Sequence, residues 1–154
     1  MKAFYYEYPK WGPSPANEDW IRLAKDWCFV VDGTEFWVPQ DYDCDGASIP
    51  GLFWLLPGIG TPTEGYNAVG AWAHDPLYLT QALPFNVCNE VARQLWIQAG
   101  KHKFDAKLMY WAVQSPIARL SYRQSDKDKQ ELARIRNSLK HRPDKSNFDS
   151  LWFK

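Results

Sequence analysis

The chain divides into a β-rich first part and a helical second part, and this order limits the folds open to it. Two runs rich in β-branched and aromatic residues, 27–31 and 35–39, are joined through Asp32-Gly33, a dipeptide suited to the positive φ angles of a tight hairpin turn. Apolar residues at helical spacing follow them. The sequence therefore predicts an α+β fold in which an N-terminal β-hairpin or small antiparallel sheet packs against four to five helices.

The first long helix is predicted from about Glu64 to His74. Thr63 is suited to cap its first turn, where the carboxylate of Glu64 is also favourable. Pro76 has no backbone N–H and would clash with the carbonyl group four residues earlier. We therefore expect this helix to stop or kink near Asp75.

Three further helices are predicted in the second half of the chain. One lies between a cap at Asn86 and a stop at Gly100, and the next covers residues 104–116. The third begins at Ser125 and Asp128, which resemble a capping box. The tryptophans on apolar helical stripes, which we expect to lie in the core, are Trp72, Trp96 and Trp111.

The length of 154 residues suits a single hydrophobic core. We interpret residues 1–20 as an extended aromatic arm, 21–120 as a single α+β core domain, and 121–154 as a C-terminal helix with an aromatic tail. Such a tail docks either on its own core or on a neighbouring molecule. The interface candidates in the terminal segments are Trp11, Trp20 and Trp152.

Charge and cysteine content exclude several classes of protein. Eighteen basic residues balance eighteen acidic ones, so no field of one sign would attract nucleic acid or an anionic membrane. Three cysteines without C-x-x-C spacing argue against a disulfide scaffold and a thiolate zinc site. A signal peptide and a long apolar span are both missing from the sequence, so we expect no membrane span and no export by a standard signal.

The best candidate for chemistry is His74, which stands beside Asp75 in an otherwise apolar segment. Neighbouring residues on a helix point about a hundred degrees apart, so Asp75 is not expected to orient the ring. A second unusual stretch begins at Asp43, about 25 residues upstream of the apolar segment. Asp43 or Asp45 is therefore the better candidate for orienting His74.

One hypothesis is a small hydrolase acting on a lipid or cell-wall type of substrate. In it His74 is the general base, Asp45 or Asp43 orients the base or binds a cation, and the remaining polar residues complete the wall of the site. The candidate catalytic residues are His74, Asp45, Asp75, Tyr78 and Ser48. As a nucleophile Ser48 lacks the Gly-x-Ser-x-Gly elbow, and Cys44 could be a nucleophile near His74 or a small buried hydrophobe.

The metal chemistry open to this sequence is that of hard cations. The spacing from His74 to Tyr78 is that of secreted phospholipase A2 enzymes, where the histidine activates water and the adjacent aspartate binds calcium, although their disulfide framework and calcium loop are missing here. Phosphohydrolases with a His-Asp doublet need an earlier histidine, which this sequence lacks. No cofactor is expected beyond a divalent cation such as calcium, with candidate ligands Asp43, Asp45 and Asp75.

Three motifs resemble a known family. They are Val38-Pro39 followed by Asp45-Gly46-Ala47-Ser48-Ile49-Pro50, then Ala73-His74-Asp75-Pro76-Leu77-Tyr78, then Met109-Tyr110-Trp111-Ala112-Val113. Together they resemble domain-of-unknown-function family 1353, over roughly residues 20 to 115. The family brings no established activity, and the resemblance implies a context in tailed phages and prophages. This sequence departs from the family pattern at two positions: Pro76, where another residue is usual, and Asn89, where an Asp is usual.

Because the sequence shows no second partner for the His74 base and has Asn89 in place of the family's acid, we favour a non-enzymatic hypothesis, a virion- or tail-associated structural protein or a host-interaction protein. Its partners would be other phage proteins or a second copy, bound through the aromatic termini, and its location the virion or the host cytoplasm. In that case Asp45 and Ser48 cap a short helix, and His74 bridges two segments. An active site would instead place His74 within hydrogen-bond reach of Asp43 or Asp45 in an open cleft.

Overall fold

Two small antiparallel sheets precede a set of helices, which confirms the predicted α+β class. The computed structural model describes residues 1–46, 59–61, 63, 65–122 and 124–153. Ser48 and residues 49–58, which follow it, lie outside the described residues.

The strands of the described residues pair into two sheets. In chain order they are β1 (Ala3–Tyr5), β2 (Trp11–Pro13), β3 (Ile21–Leu23), β4 (Trp27–Val31), β5 (Thr34–Val38) and β6 (Asp43–Cys44). The sheet orders are β1-β4-β5 and β2-β3-β6, with antiparallel pairing throughout. The hairpin between β4 and β5 is confirmed, since Asp32 and Gly33 have φ angles of 47° and 83° and Val31 lies opposite Thr34.

The helices follow both sheets along the chain. They are α1 (Gly65–Thr80), α2 (Phe85–Gln98), α3 (Lys103–Val113), α4 (Pro116–Ser121), α5 (Asp126–Lys140), a 3₁₀ helix (Lys145–Phe148) and α6 (Asp149–Trp152). Over the part of the chain that the structure describes, none of them combines the length and the apolar character needed to cross a membrane.

The sequence predicts that helix α1 stops or kinks near Asp75, but the helix continues through Pro76 to Thr80. The reason is packing, because residues along the helix are buried on both sides of the proline and α1 lies against α2. A Cβ atom on Gly70 would lie 2.0 Å from the indole nitrogen of Trp96, so this glycine allows the two helices to approach closely. The close packing of the two helices compensates for the backbone hydrogen bond that Pro76 cannot donate. It also brings His74 to face α2.

Two details of α2 and α3 differ from the predictions. Helix α2 begins at Phe85, after Pro84, so Asn86 is in its first turn and is not its cap. Trp111 is 54% exposed, so its predicted place in the core is wrong. Helix α3 buries a neighbouring stripe that includes Met109 and Val113, and the indole of Trp111 lies under the ammonium group of Lys107 instead. The capping box of α5 is confirmed.

Both ends of the chain contribute to the fold. Residues 1–20 contain β1 and β2, and β1 pairs with β4. At the other end Phe148, Leu151 and Trp152 are fully buried, and the indole nitrogen of Trp152 donates a hydrogen bond of 2.8 Å to the carbonyl of Trp37. The C-terminal aromatic tail therefore docks on the chain's own core, and Trp152 is not free to contact a partner.

Candidate functional site

An open cleft of about 1280 Å³ lies between the second sheet and the helices. Its walls come from β3 and β6 on one side and from α1, α4 and α5 on the other. Five of the residues that the sequence analysis proposed for a site line this cleft: Asp43, Asp45, His74, Asp75 and Tyr78. Ser48, the remaining candidate, lies outside the described residues.

Backbone pairing and helix packing bring two distant parts of the chain together at this cleft. Strand β6 pairs with β3, with Cys44 opposite Ile21, and this pairing fixes the chain just before Asp45. Helix α1 contacts β6 and carries His74 and Asp75 into the same cleft. The meeting of the two motifs therefore depends on long-range contacts that neither motif specifies alone.

A buried hydrogen-bond network holds one edge of the His74 ring. Its Nε2 lies 2.8 Å from Oδ1 of Asn89, and the Tyr78 hydroxyl donates to the same oxygen at 2.6 Å. The amide nitrogen of Asn89 donates to the carbonyl of Val113 at 3.2 Å, which identifies Oδ1 as the acceptor. Because an amide oxygen can only accept, Nε2 of His74 must carry a proton. In the neutral ring, Nδ1 then has the free lone pair.

The other edge of the ring faces Asp75. Nδ1 of His74 lies 3.6 Å from Oδ1 of Asp75, beyond hydrogen-bond range, and no other described residue bonds to Nδ1. His74 is only 3% exposed. The distance between the His74 and Asp75 side chains is therefore shorter than we expect for adjacent residues that point about a hundred degrees apart on a helix. Neither Asp43 nor Asp45 bonds to the ring among the described contacts, and Asn89 holds it instead.

Beside His74, a thiol and two carboxyl groups converge. Cys44, Asp45 and Asp75 each place one Sγ or carboxylate oxygen within 4.8 Å of the others. The thiol of Cys44 donates to Oδ2 of Asp75 at 2.9 Å, and the Gly46 amide donates to its Sγ at 3.2 Å. Burial, and then the charge of Asp75, raise the pKa of the Cys44 thiol well above its usual value. Cys44 is therefore a protonated thiol in this environment, which does not favour it as a free nucleophile.

Asp45 is the exposed member of this cluster, and its carboxyl group nevertheless has a shifted pKa. Desolvation, followed by the charge of Asp75, raises the pKa of the Asp45 carboxyl to about 6. A hydrogen bond between the two carboxyl groups acts in the same direction. Two carboxyl groups this close favour sharing a proton or binding a cation.

Asp43, the third predicted cation ligand, is engaged elsewhere. Its two oxygens accept hydrogen bonds from Nε and an NH2 nitrogen of Arg22 at 2.8 and 2.6 Å. Desolvation alone would raise the pKa of Asp43. Hydrogen bonds from Arg22 and Ser14 and the charges of Arg22 and Arg134 together outweigh it, so the pKa is lowered overall. The structure thus brings Asp45 and Asp75 together with Cys44 and pairs Asp43 with an arginine.

The sequence does not predict the roles of two members of this site. It identifies Asn89 only as a departure from a family pattern, and Cys44 only as a nucleophile or a buried hydrophobe. Asn89 is fully buried although it follows Cys88 in an apolar helical stripe. A polar residue at the edge of a buried stripe is a signal that could have identified it, because a buried amide requires partners. Nothing in the spacing points to Cys44.

Comparison with known proteins gives one match. The sequence profile of the family described as "Protein of unknown function (DUF1353)" matches residues 21–113, more than half of the chain. The chain belongs to this family. The DUF1353 region contains the whole polar cluster, from Cys44 to Asn89, whereas α4 and α5, which complete the cleft, lie beyond it. Searches of curated proteins and of solved structures give no match.

Proposed function

We propose that this DUF1353 protein is a small hydrolase in which Nδ1 of His74 activates a water molecule. The observation that carries the proposal is the way the ring is held. Asn89 accepts the Nε2 proton at 2.8 Å, which leaves the Nδ1 lone pair on the side of Asp75, a residue lining the cleft. A bare ring nitrogen on the open side of a fixed imidazole is the arrangement that general-base catalysis needs.

The neighbouring polar groups have distinct roles in this mechanism. Asn89 is a positioning residue, because it fixes the tautomer without touching the substrate. Tyr78 donates to the same amide oxygen, and its ring centroid lies 3.9 Å from that of His74, so it restricts rotation of the imidazole. When Nδ1 takes a proton from water, the carboxylate of Asp75 at 3.6 Å stabilises the imidazolium ion that forms.

The lining of the cleft suggests an acyl substrate with an apolar portion. Leu79, Ala118 and Tyr122 supply apolar and aromatic surface to the cleft. Such a surface beside the base suits the acyl portion of a carboxylic ester or amide. Lipid and cell-wall components both contain such bonds, and they define the two substrate types to compare.

The test measures hydrolysis of three substrates: a short-chain acyl ester, anionic phospholipid vesicles and peptidoglycan. His74→Gln keeps an amide that can bond to Asn89 but removes the base, so we expect turnover to fall at least about a hundredfold with the fold intact. His141→Gln changes the exposed histidine at the end of α5 and is the matched control, with unchanged turnover expected. Wild-type protein that hydrolyses none of the three, or a His74→Gln variant with full activity, would contradict the proposal.

A second candidate is the virion- or tail-associated structural or host-interaction role in a phage. It is supported by two large side chains on α3, Phe104 and Trp111, which are 60% and 54% exposed. Exposed aromatic residues of this kind are enriched at protein interfaces. Under this hypothesis the chain is incorporated into virions, and the double variant Phe104→Ser, Trp111→Ser reduces that incorporation while His74→Gln does not. Immunodetection in purified virions and in the lysate of infected cells distinguishes the two locations, and absence from virions together with turnover by the wild type would reject this candidate.

A further inference from the structure

We propose that Cys44, Asp45 and Asp75 form a three-ligand site for a divalent metal of the zinc class, with the open coordination position facing His74. The metal-binding part of this inference stands by itself. Its catalytic part, the transfer of a proton from metal-bound water to His74, rests on the proposed hydrolase function.

The spacing of the donor atoms suits one ion. The Sγ of Cys44 and the carboxylate oxygens of Asp45 and Asp75 all lie within 4.8 Å of one another, and Sγ lies 2.9 Å from Oδ2 of Asp75. Zinc binds sulfur at about 2.3 Å and carboxylate oxygen at about 2.0–2.2 Å in tetrahedral geometry. Ligand atoms around such an ion are therefore about 3–4 Å apart, so small side-chain rotations would bring these three donors to it.

The chemistry of the donors selects the class of metal. Calcium and magnesium prefer oxygen ligands, whereas a thiolate favours zinc and related transition metals. The predicted hard-cation site required Asp43, but that carboxylate is held by Arg22, and the buried thiol of Cys44 takes the third position. The ion would displace the thiol proton that Cys44 now donates to Asp75.

An independent feature aims into this cluster from α1. The His74 side chain is only 4% exposed, and its Nδ1 has no hydrogen-bond partner among the described residues. It lies 3.6 Å from Asp75, one of the proposed ligands. Catalytic zinc sites have three protein ligands and a water molecule in the fourth position. A water on the open position would give Nδ1 the hydrogen-bond donor that it lacks. Its proton would pass to Nδ1 as its oxygen adds to the acyl carbon of the substrate, and the imidazolium would return that proton to the departing alcohol or amine as the acyl bond breaks.

The charge around the cluster also favours a cation. Two of the three proposed ligands, Asp45 and Asp75, are carboxyl groups whose oxygens lie within 4.8 Å of each other. Arg22, Lys127 and Arg134 line the same cleft, and two of them form ion pairs outside the cluster, Arg22 with Asp43 and Arg134 with Glu131. Among the described residues, no lysine or arginine forms an ion pair with Asp45 or Asp75.

The experiment titrates the metal-free chain with Zn²⁺ by calorimetry and with Co²⁺ by absorption spectroscopy. We expect one equivalent of each to bind, with a thiolate-to-cobalt charge-transfer band. Cys44→Ser should abolish this band, and Asp45→Asn and Asp75→Asn should each weaken Zn²⁺ binding by at least about tenfold. Cys28→Ser, which changes a half-buried cysteine of β4, is the matched control and should leave band and affinity unchanged.

Several outcomes would overturn the site: no stoichiometric binding, binding without the thiolate band, or a band that Cys28→Ser removes. If Cys44→Ser does not fold, the thiolate-to-cobalt band of the wild type still tests the site, because the band must also be present in Cys28→Ser. The two proposals fail separately. Metal binding without hydrolysis of any substrate contradicts only the hydrolase, whereas hydrolysis that persists in the metal-free chain, together with no binding, contradicts only the metal site.

Discussion

Two pairs of carboxyl groups in this molecule have opposite electrostatic environments. Asp26 and Asp144 both accept hydrogen bonds from the guanidinium of Arg142, at 3.0 Å to Asp26 and at 2.9 Å to each oxygen of Asp144. Asp45 and Asp75 instead face each other and a thiol. Hydrogen bonding to Arg142 lowers the pKa of Asp144, whereas desolvation and the charge of Asp75 raise that of Asp45. The first pair is neutralised within the fold, and the second leaves negative charge for a ligand.

The neutralised pair has an evident structural role. Arg142 follows α5 and reaches Asp26, which precedes β4, so it links the C-terminal segment to the first sheet. Its guanidinium carbon also lies 4.8 Å from the ring centroid of the buried Phe148. Paired charges that join distant parts of a chain in this way serve stability, whereas an unpaired cluster in an open cleft is a candidate for function.

The largest effect that separates the two pairs is expected from metal. Free Zn²⁺ at a hundred times its dissociation constant should stabilise the wild type by about 2.7 kcal/mol, because only the folded chain assembles the site. Asp75→Asn should remove at least about half of this gain, as a tenfold loss of affinity implies, and Asp144→Asn should leave it unchanged. Urea unfolding with and without Zn²⁺ measures the difference, and equal gains in both variants would erase the proposed distinction.

Removing the arginine is expected to have the next largest effect. Arg142→Met leaves two carboxylates without their donor, so the free energy of unfolding should fall by about 2 kcal/mol in urea at pH 7. Arg134→Met is the control, because Arg134 is exposed and its partner Glu131 lies on the same helix, and a loss below about 0.5 kcal/mol is expected. Similar losses for both would show that the Arg142 cluster has no special role.

For Asp45 a smaller effect of opposite sign is expected in the metal-free protein. Its folded pKa of about 6 lies above the unfolded value of about 3.9, so between these values the folded chain binds more protons. Stability should therefore decrease as pH rises through this window and level off above it. Asp45→Asn should lack that decrease and exceed the wild type in stability above pH 6. Unfolding curves at several pH values between 4 and 8 measure this, and a variant less stable than the wild type at pH 7 would contradict it.

The smallest effect concerns acid pH at the arginine-linked pair. The lowered pKa of Asp144 means that its contribution is present above the unfolded value and is lost as pH falls through the folded one. The stability difference between the wild type and Arg142→Met should therefore shrink below about pH 4. A difference that is constant from pH 7 to pH 3 would indicate that packing of Arg142 on Phe148, rather than charge, is responsible.

Local signals in the sequence predicted much of the fold. The hairpin turn at Asp32-Gly33 and the capping box at Ser125 depend on interactions within a few residues, and both are present. Pro76 and Trp111 could not be predicted in the same way. Helix packing decides whether a proline is tolerated and which neighbouring stripe faces the core, and this packing joins residues far apart in sequence.

In the candidate site too, some residues could be inferred from local sequence and others could not. The importance of His74 and Asp75 could be inferred from their unusual place in an apolar segment, and the cleft does join them to Asp45. The partners of these residues could not be inferred, because Asn89 and Cys44 approach them through contacts between α1 and α2 and between α1 and β6. Spacing along the chain contains no information about such contacts.

The central claim is that His74 presents a bare Nδ1 to the cleft, and nitrogen NMR of the ring tests it most directly. In metal-free, ¹⁵N-labelled protein at a pH where the ring is neutral, long-range ¹H–¹⁵N correlations identify which nitrogen carries the proton. The proton is expected on Nε2, with the chemical shift of an unprotonated nitrogen at Nδ1. A proton on Nδ1, donated to Asp75, would contradict the account and would make the cluster a closed structural network.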